Sequence, residues 1–194
     1  MNAPDAAPVR SETIRSIAGA LRFFKFDRTA VAAFDPSPAA ALRSFMAAFY
    51  GLPLYAGVLA LDLWQSAHMP GDLWLYGMVQ LIAYVAHTAG FPLAVLVLAR
   101  FLGHVGQWPL FVTAVNWLGL LQITAQLACT ILDRSGILGQ VGTALLVAVL
   151  VYSLFVEVFV ARTTLGVSLL AAVAVVLLDI VIGVGIDQLT ATLF

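Results

Sequence analysis

The chain has 194 residues, 62% hydrophobic and 10% charged, with a formal net charge of −1 and a mean hydropathy of +1.03. Soluble domains carry about 25% charged residues, so a water-soluble fold is disfavoured and lipid is the expected solvent. The charge balance lacks the basic surface that nucleic-acid binding needs, and the one cysteine, Cys129, excludes an intrachain disulfide and offers no Cys/His metal spacing.

Residues 1–9 are polar and Pro/Ala-rich and are expected to be disordered. Residues 11–28 read as a short amphipathic helix. Ile14, Ile17, Leu21 and Phe24 recur at helical spacing, with Arg15, Arg22 and Lys25 elsewhere on the helix and Ser11 as N-cap. The pattern suits a membrane interface, with Phe24 and its apolar partners in the acyl chains and the cations against headgroups. The alternative is a cytoplasmic helix packed on the bundle. Phe34-Asp35-Pro36-Ser37-Pro38 is a turn leading into a helix, with Ser37 as cap and Pro38 at the first helical position. Residues 1–43 thus form an N-terminal segment, and 44–194 a transmembrane domain.

Five apolar runs follow, at about 44–64, 73–99, 110–132, 137–160 and 165–186. Each reaches the ~20 residues that cross a ~30 Å hydrocarbon core. The expected fold is an all-α bundle of five transmembrane helices with an N-terminal amphipathic helix. Pro53 and Gly90-Phe91-Pro92 fall inside spans and predict kinks. Asp133-Arg134-Ser135-Gly136 and Arg162-Thr163-Thr164 read as tight turns, Thr164 as a cap. Trp64, Trp74, Tyr76 and Trp108 mark interfaces, while His68 and His104 read as plain loop residues.

Arg10, Arg15, Arg22, Lys25, Arg28 and Arg43 precede the first span, and five spans put Arg100 and Arg162 on that same side, leaving only Arg134 opposite. The positive-inside rule then predicts a cytoplasmic N-terminus and an outer C-terminus, in a bacterial inner membrane.

Ionisable groups inside a bilayer are costly, roughly 2.5–3.5 kcal/mol each on insertion scales, and should face protein or water. Asp179 lies near the middle of the fifth span and His87 near the middle of the second. Tyr84 and His87 share a helical face, as do Asn116, Gln122 and Gln126. At 1.5 Å per residue, Asp179, Tyr84, His87 and Gln122 fall within roughly one turn of a common depth, which predicts a polar cluster joining the second, third and fifth spans. A structural role, interhelical hydrogen bonding, is favoured because no second intramembrane acid is placed beside Asp179. The functional alternative is proton relay or cation binding. Glu157 is read as near the inner end of the fourth span, snorkelling and ion-paired with Arg100 and Arg162.

An N-terminal segment carrying Asp35-Pro36, a first span after Arg43, five closely spaced spans and minimal loops resembles the Yip (Rab-interacting) superfamily, including its bacterial members. Val151-Tyr152-Ser153-Leu154, followed by Arg162-Thr163-Thr164-Leu165-Gly166, is similar to the corresponding stretch of bacterial members. The resemblance covers roughly residues 34–186 and is mainly architectural; of the acidic/Tyr/Gly/Pro motif of eukaryotic members only Asp35-Pro36 is present. It implies a non-enzymatic membrane organiser or scaffold without catalytic residues or cofactor, whose partners are the bilayer, itself or other membrane proteins. The alternative is a small transporter or channel subunit using the Asp179/His87 site for a small-molecule or ion substrate.

Overall fold

The computed structural model describes residues 9–66, 69–137 and 139–193; the expected disorder of 1–8 and the reading of His68 lie outside them. Among the described residues the chain is helical without strands, and five helical segments are long and apolar enough to cross a membrane: Pro38–Gln65, Leu73–Phe101, Val105–Arg134, Gln140–Leu165 and Leu169–Ala191. The protein is an all-α, multi-pass helical bundle.

The helices are α1 (Val9–Phe23), α2 (Pro38–Ser44), α3 (Met46–Gln65), α4 (Leu73–Phe101), α5 (Trp108–Arg134), α6 (Gln140–Leu165) and α7 (Leu169–Ala191). The start of α2 follows from its first residues. The Ser37 hydroxyl accepts the Ala40 N–H at 3.1 Å, and Pro38 occupies the first turn, where its missing donor costs nothing. Only Phe45 separates α2 from α3, so the first span begins six residues before residue 44. α3 and α4 run through Pro53 and Pro92.

The turn after α6 is displaced from its expected place. Arg162-Thr163-Thr164 stays helical because the Thr163 and Thr164 hydroxyls donate to the carbonyls of Phe159 and Val160, both at 2.7 Å, instead of capping a new helix. α6 stops at Gly166, which takes the left-handed conformation (φ 69°) that a side chain resists. Ser168, not Thr164, caps α7 through the Ala171 N–H. Likewise Asp133 and Arg134 belong to α5, and Ser11 lies inside α1 instead of capping it.

α5 is the hub. It packs between α3 and α6, carries α1 and α2 on its outer side, and only brushes α4; α7 lies on α6, and α4 leans on α7. α3 and α4, though consecutive, approach chiefly through long side chains. The Tyr55 hydroxyl donates to Gln80 Oε1 at 3.0 Å and the Tyr84 hydroxyl to the Ala48 carbonyl at 2.7 Å.

α1 crosses α5 from α2 to α6. At one end Arg43 binds Glu12 through two hydrogen bonds of 3.0 and 3.1 Å; at the other the Phe23 ring meets Phe159 at 6.1 Å and stacks on Phe34 at 5.5 Å. The most deeply docked residues are Ser16, Ala20 and Phe23; of the Ile14–Ile17–Leu21–Phe24 stripe, Ile17 and Phe24 are partly buried against the same core. Ile14 and Leu21 remain 62% and 52% exposed. At 100° per residue they form one exposed sector of the helix, and Arg15 and Arg22 another. α1 therefore has three faces: one on the bundle, one apolar, one cationic. The chain then turns at Lys25–Asp27 into a 3₁₀ helix, Arg28–Ala33. Arg22 pairs with Asp27 at 2.8 Å. The Thr29 hydroxyl and backbone N–H, donating at 2.6 and 2.8 Å, and the Arg22 cation hold the Asp27 carboxyl below its ordinary range.

Candidate functional site

Polar side chains on all five spans converge between the α3/α5 pair and the α4/α7 pair, with one of them, Glu157, reaching in from α6. The spacing that brings them there is simple. On α5, Asn116, Gly119, Gln122 and Gln126 repeat every three or four residues and share one face, while the neighbouring Trp117, Leu118 and Ala114 face α1 and α6. On α4, Tyr84, His87 and Phe91 do the same. Between these faces lies a cavity of about 430 Å³, lined by all six residues of the expected polar cluster: Asn116, Gln122, Gln126, Tyr84, His87 and Asp179.

Most of the neutral groups are tied to the walls. Asn116 Nδ2 donates to the Ser44 hydroxyl at 2.8 Å, which itself donates to the Ala41 carbonyl at 2.7 Å. Gln122 Nε2 reaches the Ser153 carbonyl of α6 at 3.4 Å. The Tyr84 hydroxyl can reach the α3 backbone because residue 51 is glycine: a Cβ there would sit 2.8 Å from that oxygen. The Tyr55 and Tyr84 rings pack with centroids 5.0 Å apart and form the α3–α4 wall.

The ionisable groups are different. His87 Nε2 lies 3.2 Å from Asp179 Oδ1, within ion-pair range, and the imidazole stacks on Phe91 with centroids 6.4 Å apart. The contact is close but poorly aligned, and Asp179 Oδ1 is buried without a well-formed hydrogen bond. Glu157 also lines the cavity, within electrostatic reach of Asp179. It is only 6% exposed, and its Oε1 has no hydrogen-bond partner among the described residues. Asp187, on the exposed side of α7, lines the same cavity nearer the end that holds Arg134 and Asp62. Three carboxyl groups and one histidine line the space, with no lysine or arginine among its described lining residues.

Glu157 corrects two expectations. It does not snorkel to Arg100 and Arg162: both arginines are exposed, and among the described residues neither pairs with a carboxylate. The cause is the helix end. α6 continues eight residues past Glu157 to Leu165, which at ~1.5 Å per residue puts the carboxyl ~12 Å inside the helix instead of at its tip. The premise that Asp179 has no acidic neighbour falls with it.

The residues expected at the membrane interface divide. Arg15, Arg22 and Lys25 are exposed. Phe24 is half-buried, its ring against Tyr152 at 6.3 Å and its carbonyl accepting the Tyr152 hydroxyl. Glu157 was the residue that pattern reading misplaced, and the signal was present: Gly166 followed by Ser168 is a stronger helix stop and start than two threonines.

Compared with protein-family models, with curated proteins and with solved structures, the chain matches none.

Proposed function

We propose that the chain is a small transporter or channel subunit that binds a cation in the cavity between α3, α4, α5, α6 and α7. The observation that carries this reading is Glu157, a buried carboxyl without a hydrogen-bond partner among the described residues, facing a space that Asp179 also lines. Side chains that only fix helix packing are expected to satisfy one another; an unsatisfied acid beside a second acid is what a proton or cation site requires. Glu157 and Asp179 supply the charge, His87 holds Asp179 in position and exchanges protons with it, and Asn116 and Gln122 line the path with dipoles. Asp187 gives a route to water at the far end.

The membrane in this reading is a bacterial inner membrane with the α1 end cytoplasmic, supported by the arginines gathered at that end. The three-faced α1 fits its interface: Ile14 and Leu21 toward acyl chains, Arg15 and Arg22 toward headgroups.

The Yip-like organiser role is the competing reading. An open apolar groove along α6, with the small residues Ala144 and Ala148 between Val147 and Val151, favours it as a helix-association surface. The two readings make opposite demands on water. With Cys129 replaced by Ala and Asp179 by Cys, a membrane-impermeant thiol reagent should label position 179 from the Asp187 side. Protection from both sides, in protein shown to be folded, would leave the polar cluster a packing device and favour the organiser.

A further inference from the structure

The cavity has a second wall worth following outward, the seam between α3 and α4. Two apolar grooves of about 420 and 210 Å³ run along its outer side, one toward the α3–α4 connection and one toward the opposite end of the two helices. Leu52 and Leu81 line both grooves, Tyr55 lines one of them together with the cavity, and Tyr84 lines the other together with the cavity. Outer apolar surface and cavity are therefore separated by Tyr55 at the larger groove and by Tyr84, Ala48 and Thr88 at the smaller. Among the described residues, α3 and α4 are held there by the Tyr84–Ala48 and Tyr55–Gln80 hydrogen bonds more than by close backbone packing. Elsewhere the cavity is walled by α5 and by the contacts of α7 with α4 and α6.

From this juxtaposition we infer that the cavity takes an amphiphilic organic cation, a single-chain alkylammonium, which passes between α3 and α4 with its tail in the seam and its head at Glu157 and Asp179. Charge complementarity selects the head: Glu157, nine-tenths buried and unpartnered, looks into a space lined by Asp179 and Asp187 and by no lysine or arginine among its described residues. The rings of Tyr55, Tyr84 and Phe91 add faces on which a quaternary ammonium is stabilised. The apolar grooves select the tail. Tyr84 is the moving part, since its hydroxyl is held by one backbone carbonyl and abuts a glycine.

The inference rests on the cation-site reading, and one experiment separates the two. Cysteines are placed at Leu52 and Leu81 in a Cys129→Ala background, and the protein is studied in nanodiscs before and after joining them with a bifunctional thiol reagent. Binding above that of empty nanodiscs is measured for dodecyltrimethylammonium and for tetramethylammonium, which has the same head and no tail. Both should bind the unlinked protein. Linking should weaken dodecyltrimethylammonium at least tenfold and leave tetramethylammonium, which arrives from water, within about twofold. In the unlinked protein Gly51→Ala, which forces the Tyr84 hydroxyl off Ala48, should quicken dodecyltrimethylammonium exchange. If linking changes neither ligand, or abolishes both, the seam is not a separate path and the inference fails while the cation site stands. If neither cation binds the unlinked protein, the cation site fails and the inference with it.

Discussion

On one face of α5, Trp117, Leu118 and Ala114 are buried against Phe23, Phe34, Val156 and Val160 in a dry core of rings and branched side chains. On its opposite face, a step away in sequence, Asn116, Gln122 and Gln126 border a cavity whose acids lack full partners. The first region holds α1, α5 and α6 together by close contact, which is the main source of helix association where lipid competes equally for apolar surface. The second leaves polar groups unsatisfied in a low-dielectric setting, and that cost is borne by the first. The contrast teaches where to look for function in a chain that is apolar almost throughout: at the side of the hub helix where contact density falls and hydrogen bonding is incomplete.

Substitutions on the two faces should therefore act in opposite directions. Phe23→Ala empties a fully buried ring site and should destabilise the protein by about 3–5 kcal/mol, read as equilibrium unfolding in mild detergent. A loss below about 1 kcal/mol would show that α1 is not part of the folded core. Glu157→Leu should do the reverse. Removing an unsatisfied buried polar group should raise stability by roughly 1–3 kcal/mol, while tetramethylammonium binding drops at least tenfold. A destabilised Glu157→Leu protein would mean that the carboxyl has a structural partner.

Smaller effects sharpen the edges of the comparison. Arg134 joins the far ends of α5 and α3 through Asp62 at 2.9 Å and Gln65 at 2.7 Å, but the pair is well exposed. Arg134→Ala should cost only about 0.2–1 kcal/mol and leave cation binding unchanged; a larger loss would make that clamp part of the site's scaffold. The smallest effect is at Asp27. Its carboxyl titrates below the ordinary 3.8, so its bonds to Thr29 and Arg22 favour the folded turn above that value. That contribution fades as pH falls through the lowered value. Protection of the Thr29 amide against hydrogen exchange, relative to its intrinsic rate at each pH, should hold down to about pH 4 and fall below. Equal protection in Asp27→Asn would remove the carboxylate as its cause.

Much of this arrangement was legible in the sequence. Five spans follow from hydropathy and length, and Asn116, Gln122, Gln126, Tyr84, His87 and Asp179 could be gathered by period and depth alone, because an α-helix fixes both angle and rise. Two things were hidden, for different reasons. Glu157 was misread because threonines that cap helices elsewhere can also bond back to their own helix, as Thr163 and Thr164 do. The docked face of α1 could not be picked out because the small residues Ser16, Gly19 and Ala20 permit a close approach that hydrophobicity does not register. A Cβ on Gly19 would lie 2.6 Å from that of Ala33. Periodicity finds the greasy stripe of a helix, whereas a bundle sometimes chooses the thin one.

That choice has a consequence for shape. With its thin face spent on α5, α1 keeps Ile14 and Leu21 free at one end of the molecule only. Under the proposed interfacial seat, α1 would add cross-section to one leaflet and none to the other, which would make the protein a wedge in the plane of the bilayer. A wedge is at ease where that leaflet is stretched and under pressure where it is compressed, and the density of such molecules is then set partly by the curvature of the membrane that carries them.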